Sequence, residues 1–274
     1  MRRPALVFIH GVRSSSALWD AQIRAAHAAG YEAVAVDLPG HGARRDERFT
    51  LDNAFTVIDD AIASVGEGTS PVVLVGLSLG GYVTLEYAAR RPARLAGVIA
   101  SACTCDPKGK PVRMYGQVAH HVTRAISSVQ AWAGRWTPAL VPDLAGRRLR
   151  VDGSTAPFRP GWDVVTDMLG QLAGRSSIEN LKQITVPIWF VNGQRDHLRL
   201  EEKKYLAAVP TSRLVVIPKA GHDVSFEAPH EFNRVMLTVL EDIEHERATQ
   251  PATARTPAPV DVPAASGVAV AHGV

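Results

Sequence analysis

The chain has 274 residues, with 30 Lys and Arg against 27 Asp and Glu and a formal net charge of +3 at neutral pH. At 46% hydrophobic and 21% charged it can bury a sizeable core, which excludes collagenous, coiled-coil and wholly disordered classes. No apolar run approaches the ~18 residues of a membrane span, and no basic cluster carries interleaved aromatics, so neither a membrane span nor nucleic-acid binding is expected.

Met1-Arg2-Arg3-Pro4 precedes only five apolar residues, Ala5–Ile9, before the polar His10. That run is too short for a signal-peptide core. The two cysteines, Cys103 and Cys105, stand two apart, where a bridge would be strained and would close almost no loop. Both features point to a reducing cytoplasm.

Ala5–Ile9 reads as a buried strand, and Trp19, Ile23 and Ala26 space like the inner face of a helix that Gly30 closes. A second strand is expected over 31–37, a helix over 51–65 with Phe55, Ile58 and Ile62 on one face, and a third strand over 71–75. A helix over 82–90, ended by Pro92, and a fourth strand over 95–102 complete the first half. Strand-then-helix alternation of this kind requires crossover connections, so an α/β, doubly wound and mostly parallel sheet is predicted, with helices on both faces.

The alternation breaks between 105 and 182, where no convincing strand is found, basic residues outnumber acidic ones, and Trp132, Trp136 and Trp162 lie. Strands resume over 186–191 and 213–217. A last helix carries Phe232, Val235, Met236, Val239, Leu240 and Ile243 as one stripe. Beyond Arg247 the Ala, Pro, Thr and Val composition lacks periodicity and predicts a disordered tail.

The chemistry concentrates at Gly76-Leu77-Ser78-Leu79-Gly80, directly after one predicted strand and before a helix. A sharp turn there strains the serine backbone and lifts the hydroxyl clear of the sheet. The flanking glycines are needed because a Cβ would strike neighbouring backbone. The Leu79 N–H, at the helix start, aims at a developing oxyanion. By chance such a pentapeptide arises in roughly one chain in ten of this glycine content, so the strand–turn–helix setting is what makes it informative.

A serine hydroxyl needs a base, and the base an orienting acid. In a doubly wound sheet both belong at the C-terminal ends of later strands. Asp196 and His222 occupy those places, each a few residues past a predicted strand. Asp223 adjoins His222 and cannot easily turn to face it. His197 is an alternative base, disfavoured by its closeness in sequence to its own acid.

His10-Gly11, Asp37-Leu38-Pro39-Gly40-His41-Gly42, the Ser78 pentapeptide, Gly193-Gln194-Arg195-Asp196 and Gly221-His222 together resemble the α/β-hydrolase superfamily over roughly residues 5 to 245. The resemblance implies that Ser78, Asp196 and His222 are catalytic, and that the backbone N–H of Val12 joins Leu79 in the oxyanion hole. It also implies that His10, Asp37 and His41 hold loops. The antiparallel strands that usually precede the His-Gly are missing, as in the compact members, so six essentially parallel strands are expected. The core would comprise 1–104 and 183–247, with 105–182 a helical lid and 248–274 the tail.

No cofactor and no metal are expected. His120-His121 diverge on a helix and lack a partner at ligand spacing. The function this implies is a serine hydrolase that cleaves a small-molecule carboxylic ester, lactone or thioester through an acyl-enzyme. Two alternatives stay open: hydrolysis of a carbon–carbon bond in a ring-cleaved diketone, and a non-enzymatic ligand receptor on the same fold.

Overall fold

The structure is a computed structural model that describes residues 2–109, 150–151, 154–155 and 162–249. Short β-branched runs form its centre because strands buried on both faces favour Val and Ile. They are β1 (Ala5–Ile9), β2 (Ala33–Val36), β3 (Val72–Leu77), β4 (Leu95–Ser101), β7 (Ile188–Gly193) and β8 (Arg213–Ile217). These six make one sheet in the order β2-β1-β3-β4-β7-β8, and every neighbouring pair is parallel. Representative register pairs are Val7 with Leu74, Gly76 with Ala100 and Val191 with Val215. The doubly wound, all-parallel sheet is thus as the sequence predicted.

Alternation along the strands divides the core in two. Ala5, Val7, Ile9, Val72 and Leu74 share a buried cluster with α2 (Leu51–Ser64) and α3 (Leu79–Ala88). Leu6, Phe8, Val73, Val75 and Leu77 share a second with Trp19, with Ala26 of α1 (Asp20–Ala28), and with Phe232, Met236, Leu240 and Ile243. Each large apolar side chain so buried stabilises the fold by about 1.5–3 kcal/mol. Thr50 caps α2 by accepting a hydrogen bond from the Asn53 N–H at 3.1 Å.

The stretch expected to lack strands contains a small one. β5 (Arg150–Val151) pairs antiparallel with β6 (Ser154–Thr155), and the residues between them in sequence, Asp152-Gly153, are a favoured two-residue hairpin signal. Two helices follow, α4 (Trp162–Leu172) and α5 (Ser177–Leu181). Met168, Leu172 and Leu181 join the first cluster, so this part of the insert packs on the core itself. Trp132, Trp136 and His120-His121 lie outside the described residues.

Asp106 pins the insert where it leaves and re-enters the core. Its carboxylate accepts from Ser176 Oγ at 2.6 Å and from the Ser177 N–H at 3.2 Å, while its own N–H donates to Glu201 Oε2 at 2.7 Å. The remaining helices are α6 (Glu202–Ala208), α7 (Val224–Glu227) and α8 (Pro229–Thr249). Among the described residues no helix is long and apolar enough to cross a membrane. α8 runs through Thr249, and the rest of the predicted tail lies outside the described residues.

Candidate active site

Parallel strands deliver all their C-terminal ends to one rim, and there the chain leaves β1 towards β2 and leaves the adjacent β3 towards β4, on opposite sides. Ser78 stands one residue past β3 with φ 55° and ψ −115°, a conformation that costs a non-glycine residue about 1–3 kcal/mol. The turn holds because its neighbours admit no side chain. A Cβ on Gly76 would meet the Gly80 carbonyl oxygen at 2.4 Å, and one on Gly80 would meet that of Ile9 at 2.1 Å. The Ser78 N–H donates to the Ser101 carbonyl at 2.8 Å, tying the turn to the end of β4.

Asp196 and His222 arrive on two stitched turns. After β7, the Gln194 N–H donates to the Ile217 carbonyl at 2.9 Å and the Arg195 N–H to that of Ala220 at 2.8 Å. A Cβ on Gly193 would lie 2.0 Å from the Gly221 oxygen, so only glycine allows this approach. The result is that His222 Nδ1 stands 2.8 Å from Asp196 Oδ1, and His222 Nε2 stands 2.8 Å from Ser78 Oγ. The Asp196 side chain is fully buried, whereas that of His222 is 24% exposed. Asp196 Oδ1 also accepts from the Leu198 N–H at 2.9 Å, while Oδ2 is buried with no partner. Three residues separated by 118 and 26 positions of chain are therefore in hydrogen-bonding contact.

The imidazole within hydrogen-bonding distance of Ser78 is that of His222 and not that of His197. His197 Nδ1 is 3.8 Å from Asp196 Oδ1, beyond a hydrogen bond, and its ring lies over that of His222 with centroids 4.6 Å apart. Sequence closeness to Asp196 does not keep the imidazole away, but it points to His222 rather than to Ser78.

The loop after β1 closes the other side. A Cβ on Gly11 would be 3.4 Å from Ser78 Cβ, which puts His10-Gly11-Val12 against the serine. The loop's shape is held by two buried histidines. His10 Nδ1–H donates to the Gly11 carbonyl at 2.7 Å, and its Nε2 accepts from the Leu38 N–H at 3.1 Å. His41 Nε2 accepts from the Arg13 N–H at 3.1 Å, its Nδ1 facing the Pro39 carbonyl at 3.0 Å.

Burial, seconded by His41, depresses the His10 pKa to about 3, and burial lowers that of His41 too; both act as neutral braces. Burial pushes the Asp37 carboxyl up, but amide bonds from Ala43 and Ser16, at 2.9 and 2.7 Å, outweigh it and leave its pKa low. The loop-holding roles expected of His10, Asp37 and His41 match these contacts. α3 begins at Leu79, so the Leu79 N–H is among the first-turn amides that a helix leaves without an internal acceptor.

One residue escaped sequence reasoning. Glu227 Oε2 accepts from the Gly221 N–H at 2.7 Å and its Oε1 from the Asp223 N–H at 3.1 Å. The carboxylate thereby grips the backbone on both sides of His222. A glutamate five residues past a candidate histidine, at the end of a short helix, is the signal that could have found it.

Among known proteins, the chain is 26% identical over 268 residues to abhydrolase domain-containing protein abhd-5.2 of Caenorhabditis elegans, covering 86% of this chain and 59% of that one. The chain thus spans well under two thirds of that relative's length. It is 28% identical over 248 residues to the pimeloyl-(acyl-carrier protein) methyl ester esterase of Xanthomonas campestris pv. campestris, covering 84% of this chain and 94% of the relative. Among solved structures it resembles a thermophilic esterase from Thermogutta terrifontis, with a TM-score of 0.66 and 23% identity over 88% of this chain and 90% of that one, a likeness of fold. A family model described as "Alpha/beta hydrolase family" matches residues 6–235, and the chain therefore belongs to the α/β-hydrolase family.

Proposed function

We propose that this chain is a serine hydrolase of a small carboxylic ester, with Ser78 as nucleophile, His222 as base and Asp196 as orienting acid. The single observation that carries the reading is the unbroken path Asp196 Oδ1–His222–Ser78 Oγ, with both links at 2.8 Å. The names of the methyl ester esterase relatives support an ester as the scissile group. The pinning of the insert at Asp106 supports reading 105–182 as a lid over the rim. Two buried free thiols, Cys103 and Cys105, fit a reducing cytoplasm.

In the reaction, His222 Nε2 takes the Ser78 proton as Oγ attacks the ester carbonyl carbon. The carbonyl oxygen becomes an oxyanion, which the Val12 and Leu79 N–H groups receive; each such donor contributes about 3–4 kcal/mol to the transition state. Asp196 keeps the Nδ1–H tautomer and stabilises the imidazolium. The imidazolium then gives its proton to the leaving alkoxide. Water, deprotonated by the same histidine, attacks the acyl-enzyme and releases the acid while the proton returns to Ser78. Protons balance within chain, substrate and water.

The test is turnover of p-nitrophenyl esters from acetate to octanoate by the full chain and by Ser78→Ala. Saturable hydrolysis by the wild type and its loss in the variant are expected. Equal rates for the two proteins would overturn the reading, as would ligand binding with no turnover of any ester.

A further inference from the structure

We infer that Asp196, His197 and His222 form an inhibitory site for a borderline divalent transition-metal ion, of which Zn²⁺ is the type. The inhibition, though not the binding, rests on the hydrolase reading above. One ligand atom from each of the three residues lies within 4.8 Å of the others. Asp196 Oδ1 is 2.8 Å from His222 Nδ1 and 3.8 Å from His197 Nδ1.

Zinc bonds of about 2.0–2.1 Å to imidazole and carboxylate in a tetrahedron place ligand atoms about 3.3 Å apart. The 3.8 Å separation must shrink and the 2.8 Å one open by roughly half an ångström each, and the two imidazole nitrogens, within 4.8 Å of each other, must close to the same spacing by rotation of the exposed His197 ring. The His197 side chain is 61% exposed, so it is free to turn, and the ion can enter from solvent beside His222. Imidazole nitrogens with one carboxylate suit zinc, copper and nickel and do not suit magnesium or calcium.

A second, independent observation points the same way. Asp196 is buried, yet Oδ2 has no hydrogen-bond partner, so the carboxylate is under-compensated in a low-dielectric setting. The neighbouring cation compensates it only at longer range: the Asp196 charge is felt by Arg199, but the guanidinium bonds Glu202 instead, through Nε–Oε1 at 2.8 Å and Nη2–Oε2 at 3.0 Å. A divalent ion shared with two imidazoles supplies the compensation directly.

The consequence follows from the tautomer. In the resting site His222 Nδ1–H faces Asp196, and Nε2 offers its lone pair to Ser78. An ion on Nδ1 replaces that nitrogen's proton, which is released to solvent while Nε2 takes one up, so the ring stays neutral as the Nε2–H tautomer. Nε2 then donates to Ser78 Oγ and can no longer accept its proton. The ion needs no access to Ser78 to switch the serine off.

The experiment uses untagged full-length protein freed of metal with EDTA and dialysed. Zn²⁺ is titrated against p-nitrophenyl butyrate hydrolysis by the wild type and His197→Gln, each normalised to its own metal-free rate, with Mg²⁺ as a control. Zn²⁺ binding is measured in parallel by calorimetry. Losing a direct ligand should weaken both inhibition and the calorimetric affinity on the order of tenfold or more, with EDTA restoring the rate and Mg²⁺ without effect. Equal Zn²⁺ sensitivity of the two proteins, or inhibition by Mg²⁺ as strong as by Zn²⁺, overturns the site. If no ester is turned over, the hydrolase reading fails on its own, while calorimetry still upholds the site through a weaker His197→Gln or rejects it through equal binding.

Discussion

Acidification should destabilise this protein through the brace behind the loop His10-Gly11-Val12. His10 is fully buried as a neutral ring, donating from Nδ1 to the Gly11 carbonyl and accepting at Nε2 from the Leu38 N–H. A proton on Nε2 would confront that N–H and place a charge in the core. Burial holds the folded pKa to about 3 against an ordinary value of 6.5.

Between those two values the unfolded chain binds the proton and the folded chain does not. The stability is therefore intact above pH 6.5 and is lost progressively as pH falls towards 3. Moving from pH 7.5 to 5.0 should cost about 2 kcal/mol from this residue alone, since 1.5 pH units lie below the unfolded value at about 1.36 kcal/mol each. His41, also lowered by burial, adds in the same direction.

Urea unfolding followed by tryptophan fluorescence at the two pH values, for the wild type and His10→Gln, isolates the term. The variant should lose about 2 kcal/mol less than the wild type over the same interval. Should His10→Gln fail to fold, the His10 ring nitrogens followed by NMR give the same answer, staying neutral down to pH 5. A pH loss equal in both proteins, or a His10 ring titrating near 6.5, would refute the buried neutral brace.

Asp196→Asn should leave the fold intact and lower kcat on the order of 10³–10⁴-fold, because the amide favours the wrong His222 tautomer; steady-state kinetics read it directly. Glu227→Ala should release both amides flanking His222 and lower kcat roughly 10- to 100-fold with little change in KM, with Glu227→Gln intermediate. A purely structural role would instead lower the melting temperature and leave kcat of the folded fraction unchanged. Gly80→Ala forces a methyl to 2.1 Å from the Ile9 carbonyl oxygen and should cost about 3 kcal/mol or more, seen as a lowered urea midpoint or as failure to fold.

The sheet was readable because its four inner strands are buried throughout and so appear as short apolar runs, while the half-buried edge strands keep their β-branched residues. β8 (Arg213–Ile217) has the bounds the run suggested. β3 instead runs on to Leu77, past the Val75 where the apolar run met glycine, because Gly76 pairs with Ile9 and Ala100 across the sheet. α3 begins at Leu79 rather than Tyr82. Its two glycines are poor helix formers, but the close approach of Gly80 to the Ile9 carbonyl and of Gly81 to the Cys103 side chain requires them.

On α1 the periodicity chose Ile23 for the inner face, whereas Gln22 is fully buried and Ile23 only half so. Gln22 Nε2 donates to the Ser225 carbonyl at 3.1 Å and to Asn233 Oδ1 at 3.0 Å, partners 203 and 211 positions away that no local pattern announces. The expectation at Ser78 came from its pentapeptide between strand and helix, and those at Asp196 and His222 from the ends of later strands together with the resemblance. Glu227 and the convergence of His197 were not expected, because both depend on how the turns after β7 and β8 fold against each other.

Activation of the Ser78 oxygen at this rim is read most directly by peptide mapping with mass spectrometry after the full chain reacts with a fluorophosphonate probe. One phosphonyl adduct is expected, carried by Ser78, and none in His222→Gln under the same exposure. An adduct on a different residue, or an unmodified Ser78 in protein that turns over esters, would contradict it.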